Sequence, residues 1–163
     1  MKSVCVYCGS GPGKNPVYMA AARELGLAMV ASGIGLVYGG GSIGLMGEVA
    51  RTVLEAGGHV TGIIPEFLGS KERMLTGVNE LIVTKSMHER KMSMFEYSTG
   101  FAALPGGIGT LEELTEISTW AQLDQHGVDR GVGVLRGDHR VQQVGYTGAV
   151  EGRIGGGPPA LLN

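Results

Sequence analysis

Two cysteines, four histidines and one tryptophan in 163 residues leave little room for several kinds of chemistry. A structural zinc site takes about four ligands. Cys5 and Cys8 are the only cysteines, and His59, His88, His126 and His139 show no paired metal-binding spacing, so no metal is expected. C-x-x-C is also the spacing of a redox pair, but such a pair usually opens a helix. Here Cys5 lies in an apolar strand-like run and glycines follow Cys8, so both read as buried structural thiols. Charge of one sign is missing as well. Thirteen Lys and Arg face fifteen Asp and Glu, with a pI near 6.1, which draws the chain neither to nucleic acid nor to a membrane surface. No apolar run approaches the roughly 20 residues of a membrane helix. Met1 to Cys5 enters a strand-like segment with no signal-peptide core, so the expectation is a cytoplasmic protein acting on a small molecule.

What the chain has in abundance is glycine, with 30 residues. Its length suits one domain with a real core. Short apolar runs at 3–8, 34–38, 60–64, 80–84 and 100–104 read as buried strands, separated by segments of helical period. The first helix begins at Pro16, with Tyr18, Ala21, Ala22, Leu25 and Met29 on one face, and Ser32-Gly33 ends it. Further helices are expected at about 44–57, 87–98 and 109–123. This alternation predicts an α/β, Rossmann-like three-layer fold: a parallel sheet flanked by helices, with ligands at the carboxyl ends of the strands.

Three glycine-rich turns share that edge: Cys8-Gly9-Ser10-Gly11-Pro12-Gly13, Gly39-Gly40-Gly41-Ser42-Ile43-Gly44 and Pro105-Gly106-Gly107-Ile108-Gly109-Thr110. Glycine lets backbone approach a ligand, and a helix opening just afterwards aims free N–H groups at an anion. Gly9, Ser10, Gly40, Gly41 and the run from Gly106 to Thr110 are therefore candidate phosphate-binding positions. The middle turn also fits G-x-G-x-x-G at Gly39, Gly41 and Gly44, a weak dinucleotide signal whose plain alternative is close strand–helix packing. Thr110 and Glu113 have the spacing of a capping box, which competes with a working role for the Glu113 carboxylate. Met87, Arg90, Lys91, Met94 and Phe95 fall on one helical stripe. Two cations among core residues either snorkel to water or face the glycine-rich edge, where arginine can bind an anion through two bonds.

Met-His-Glu-Arg-Lys at 87–91 followed by Pro-Gly-Gly-Ile-Gly-Thr-Leu-Glu-Glu at 105–113, with Cys-Gly-Ser at 8–10 and Tyr-Gly-Gly-Gly-Ser-Ile-Gly-Leu-Met-Gly at 38–47, resembles the LOG ("lonely guy") family. The resemblance covers about residues 3–123. It implies a cytokinin riboside 5′-monophosphate phosphoribohydrolase of Rossmann-like fold, although many such sequences carry an older lysine decarboxylase label. It further implies Arg90 and Glu113 as the catalytic pair. Glu72, Lys91, the loop from Gly107 to Thr110, and Thr119 would touch a nucleoside monophosphate. No cofactor is implied, and family members are typically homodimers. A non-catalytic carrier or sensor that binds a nucleotide or related phosphate through the same loops is the competing expectation.

Residues 124–163 break the pattern. Glycines at 127, 131, 133, 137, 145, 148, 152, 155, 156 and 157 disfavour helix. Val132-Gly133-Val134-Leu135 still reads as a strand, whereas Gly155-Gly156-Gly157-Pro158-Pro159 cannot continue one. The segment reads as a divergent, glycine-rich end of the same domain or as the product of a shifted reading frame. An uninterrupted frame in independent isolates would exclude the second.

Overall fold

The computed structural model describes residues 1–69, 74–122, 132–135 and 141–143. The elements run β1 (Ser3–Tyr7), α1 (Val17–Ala31), β2 (Gly35–Tyr38), α2 (Gly44–Glu55), β3 (Val60–Pro65), a 3-10 turn (Glu66–Leu68), β4 (Glu80–Thr84), α3 (Met87–Glu96), β5 (Gly100–Ala103), α4 (Ile108–Gln122), β6 (Val132–Leu135) and β7 (Val141–Gln143). Five strands and four helices stand where the apolar runs and periodic segments place them, with ends moved by a residue or two. Val132–Leu135 is the sixth strand. β7 carries too short a pattern to read from sequence.

Across the sheet the order is β4-β3-β2-β1-β5-β6-β7. Every neighbouring pair is parallel except β6 and β7. From β1 the chain winds outward through β2 and β3 to β4, then crosses back to lay β5 on the free side of β1. That reversal makes the gap between the loops after β1 and β5 the switch point, where a doubly wound sheet opens a crevice at its carboxyl edge.

Alternation along the strands feeds two cores. Val6, Leu36, Tyr38 and Val60 pack beneath α1 and α2 with Ala22, Leu25, Met29, Val49 and Val53. Cys5, Tyr7, Val37, Ile63 and Phe101 pack on the other face with Met94 and Phe95 of α3 and Ile117 of α4. Phe95 stacks on Phe101 and meets Trp120 edge on. Parity also settles the C-x-x-C. Cys5 belongs to the α3–α4 core and Cys8 to the α1–α2 core, so the two thiols lie on opposite faces of the sheet and do not form a pair. Burial raises the pKa of both, that of Cys8 to about 12, which leaves them protonated at neutral pH.

Among the described residues no helix is long and apolar enough to cross a membrane. The readings made for residues 124–131, 136–140 and 144–163, the shifted frame included, lie outside the described residues, as does Glu72.

Candidate active site

The β1 and β5 turns meet at the switch point. The Gly9 amide donates to the Pro105 carbonyl at 3.0 Å. A β-carbon on Gly9 would stand 3.3 Å from the Gly106 α-carbon, and one on Gly106 would strike the Thr110 side chain and reach 3.0 Å from the Gly9 nitrogen. Those two glycines are what packing demands. Gly107 and Gly109 differ, because a β-carbon on either would meet nothing within 4 Å. The loop from Gly106 to Gly109 is exposed, with Ile108 82% accessible. Its last two residues open α4, whose first amides have no intrahelical acceptor and carry the positive end of the helix dipole.

The middle turn has a different purpose from a dinucleotide fingerprint. Gly44, at φ +62°, lies against the Ser10 carbonyl, where only glycine fits, and the Leu45 amide reaches the Gly11 carbonyl at 3.4 Å. The Gly40 carbonyl accepts from the Leu75 amide at 3.1 Å, and Gly41 bridges Met74. The packing alternative accounts for these positions.

Arg90 starts from a well-defined helix. Ser86 caps α3, its hydroxyl accepting from the Glu89 amide at 3.1 Å, and the Glu89 carboxylate returns to accept from the Lys85 amide at 2.8 Å. This S-x-x-E arrangement is a variant of the capping box, in which the glutamate reaches the amide before the cap rather than the cap's own. The competing box at Thr110 and Glu113 does not form, because α4 already begins at Ile108 and Thr110 lies inside its first turn. Glu113 turns toward α3 instead. Arg90 Nη1 donates to Glu113 Oε1 at 2.6 Å, with only 7% and 12% of the two side chains accessible. Arg90 Nε donates to the Ile63 carbonyl at 3.3 Å, in the carboxyl half of β3. Desolvated charges persist only when paired and hydrogen-bonded, and this pair is both.

Lys91 is held by carboxylates of α4. Its ammonium binds Glu112 Oε1 at 2.6 Å and Glu116 Oε2 at 2.8 Å, which ties α3 to α4 beside the buried pair and, through those two hydrogen bonds, raises its pKa. Thr119 is exposed, donates to the Thr115 carbonyl at 2.9 Å, and stands roughly 9 Å farther along α4 than Glu113. The structure thus gathers Gly9, Ser10, the run from Gly106 to Thr110, Arg90 and Glu113 at one edge, with Gly40 and Gly41 in the neighbouring turn. Lys91 and Thr119 lie on the flank. Sequence reasoning missed the Ile63 carbonyl and the Glu112 and Glu116 partners, although Ser86-Met87-His88-Glu89 was there to be read as the cap.

A buried cation–carboxylate pair next to an open amide loop can hold a phosphoester and set a carboxylate against a sugar. Comparison with known proteins fits that chemistry. A family model described as possible lysine decarboxylase matches residues 46–139, past Leu123, where the recognisable motifs end. Cytokinin riboside 5′-monophosphate phosphoribohydrolase LOG5 from Arabidopsis thaliana is 53% identical over 137 residues, covering 84% of this chain and 59% of that protein. The probable cytokinin riboside 5′-monophosphate phosphoribohydrolase LOGL9 from Oryza sativa subsp. japonica is likewise 53% identical, over 84% of this chain and 60% of its own length. The chain thus spans about three-fifths of these relatives. Among solved structures, the structural-genomics target TM1055 is 29% identical, with a TM-score of 0.63 over 74% of this chain and 71% of that one. The Moco carrier protein from Chlamydomonas reinhardtii shares the fold, at 23% identity and a TM-score of 0.62 over 83% and 89%.

Proposed function

The chain belongs to the LOG family, whose family model carries the description of possible lysine decarboxylase, and from that premise we propose that it hydrolyses the N-glycosidic bond of adenosine 5′-monophosphates. N6-modified ones such as cytokinin riboside monophosphates are included, and the products are free base and ribose 5-phosphate. The observation that carries the reading is the buried Arg90–Glu113 pair beside the exposed loop from Gly106 to Gly109.

In this reading the loop amides hold the 5′-phosphate, and the sugar lies toward Glu113. Water oxygen forms a bond to C1′ as the C1′–N9 bond breaks. The bonding pair leaves with the adenine, and a proton from the water ends on the base. The transition state has oxocarbenium character, so a carboxylate is worth most where that positive charge develops. Glu113 steadies it or orients the water, and Arg90 fixes Glu113 and the substrate in place.

Amino-acid decarboxylation through pyridoxal phosphate fits the residues poorly. A Schiff-base lysine is activated by a lowered pKa. Among the described residues, Lys91 is the lysine at this edge and is shifted upward by Glu112 and Glu116, while Lys2, Lys14 and Lys85 are exposed.

The test is to incubate the purified chain with AMP and with isopentenyladenosine monophosphate. Equimolar free base and ribose 5-phosphate are expected from at least one of them. Tight binding with no product would convert the reading to a carrier, and neither binding nor product would reject the site. The same reading takes the protein as cytoplasmic and, if its C-terminal region folds, as a homodimer. Sedimentation should then give twice the 16.9 kDa chain mass rather than the single mass.

A further inference from the structure

The first glycine of the middle turn remains unexplained by phosphate binding, by turn conformation and by strand–helix packing. Gly39 follows β2 directly, and its φ lies outside the left-handed region, so alanine could adopt its backbone without strain. What excludes a side chain there is Arg90. A β-carbon on Gly39 would overlap Arg90 Nη2, with Arg90 Cζ at 3.6 Å and Met46 Sδ at 3.4 Å as the next nearest atoms. The guanidinium is therefore held on three sides. Nε is on the Ile63 carbonyl, Nη1 is on Glu113, and Nη2 fills the space that a β-carbon on Gly39 would take.

We propose that Gly39 is a positioning residue whose missing side chain forms the slot that sets the Arg90 guanidinium against Glu113. The inference rests on the phosphoribohydrolase reading for its effect on rate, but not for its effect on Arg90. The identity of the atom that would have to yield decides what a substitution does. At Gly44 an added methyl group meets backbone, so the fold must give way, and at Gly106 it meets the short Thr110 side chain down to its β-carbon, which cannot swing aside. At Gly39 it meets the far end of a flexible side chain. The sheet can stay as it is while the guanidinium swings out of its slot and carries the Arg90–Glu113 geometry with it. Glycine at this point of the turn answers to a residue on α3, 51 positions later in the chain.

The experiment is Gly39→Ala in the full-length chain. Its melting temperature should stay within a few degrees of wild type, while kcat falls by roughly 100-fold, the scale for a misplacement of about 1 Å, with KM changed less than about threefold. The Arg90 Nε–H resonance in a 15N spectrum should shift as its bond to the Ile63 carbonyl is disturbed. In an Arg90→Lys background, which lacks Nη2, adding Gly39→Ala should lower kcat by less than about twofold, since two substitutions acting through one contact do not add. An unmoved Arg90 resonance, or a full additional loss in the Arg90→Lys background, overturns the proposal. If wild type turns over neither nucleotide, the functional reading fails by itself and the resonance decides this inference. Should Gly39→Ala fail to fold, Gly39→Ala with Arg90→Lys must fold, because the colliding group is gone. If it does not, the slot is not what Gly39 provides.

Discussion

Replacing Glu113 by glutamine separates a working carboxylate from a structural one, because the two roles predict losses of different size. The side chain keeps its length and can still accept from Arg90 Nη1, but the negative charge facing a guanidinium that is 7% accessible is gone. Removing one partner of a buried pair outright costs about 3–5 kcal/mol. Here glutamine retains an acceptor and the Ile63 carbonyl still holds Nε, so a loss of about 2 kcal/mol is the better figure, in line with hydrogen bonds to charged groups. For a domain of this size that lowers the melting temperature by about 4–8 °C. Against a total stability of about 5–15 kcal/mol the variant stays almost wholly folded at 25 °C, so unfolding cannot account for a large rate loss. If the carboxylate faces the oxocarbenium charge, kcat should fall by about 100- to 1,000-fold. The assay is release of free base from isopentenyladenosine monophosphate at 25 °C, beside a thermal melt of the same preparation. A Glu113→Gln enzyme within about threefold of the wild-type rate, melting several degrees lower, would refute the catalytic role and leave Glu113 as the counter-ion of Arg90 alone.

Gly106→Ala should cost about 1–3 kcal/mol in urea unfolding, because the added methyl group is forced into Thr110 and toward the Gly9 amide. Gly107→Ala meets no protein atom within 4 Å, so stability should hold within about 0.5 kcal/mol. Its effect should appear as a raised KM for the monophosphate, and an unchanged KM would remove Gly107 from the phosphate site. Burial raises the pKa of Cys8 to about 12, and that of Cys5 is raised as well. Between about pH 8.5 and the folded value the unfolded thiols lose protons that the folded ones keep. Their contribution is therefore complete below about 8.5 and is lost above it, by up to about 1.4 kcal/mol per pH unit for each thiol. Urea midpoints measured from pH 7 to 10 should be level and then fall, and iodoacetamide should label neither cysteine in the native protein at pH 8. AMP at a hundredfold excess over its dissociation constant should raise stability by about 2.7 kcal/mol, read as a higher melting temperature, and no shift would count against a nucleotide site.

Most of the scaffold was legible because its signals are local. β2 and β3 are buried along their whole length, so they read as largely apolar runs without alternation. α1 carries Ala21, Ala22, Leu25 and Met29 on one buried face, which the period of 3.6 displays directly. The Cys8, Gly39 and Pro105 turns were visible as glycine clusters for the same reason. Fine assignments stay open in the sequence where two local patterns have equal claim. Thr110-x-x-Glu113 and Ser86-x-x-Glu89 both spell a capping box, and only the fold shows that Ser86 caps α3 while α4 already begins at Ile108, ahead of Thr110. Lys91 could be read as facing a ligand because the stripe shows that a cation is half-buried, not which carboxylates of α4 will reach it.

What sequence periodicity cannot supply is the partner of a group on another element, and the site is made of such partners. Arg90 and Glu113 are 23 positions apart, Arg90 and Ile63 are 27 apart, and neither separation has a helical or strand period. Their meeting follows from the order β4-β3-β2-β1-β5, which sets the end of β3, the body of α3 and the start of α4 over one edge. The same topology changes the meaning of glycine. In the Gly39, Gly41, Gly44 pattern each position could be read as backbone approaching a dinucleotide, yet Gly44 makes room for the β1 turn and Gly39 for a guanidinium. Glycine records only that a side chain is excluded, and what excludes it must be read from the fold. Where the fold supplies no such neighbour, as at Gly107 and Gly109, the exclusion points outward, and those two positions are the strongest reason to look for a ligand on this loop.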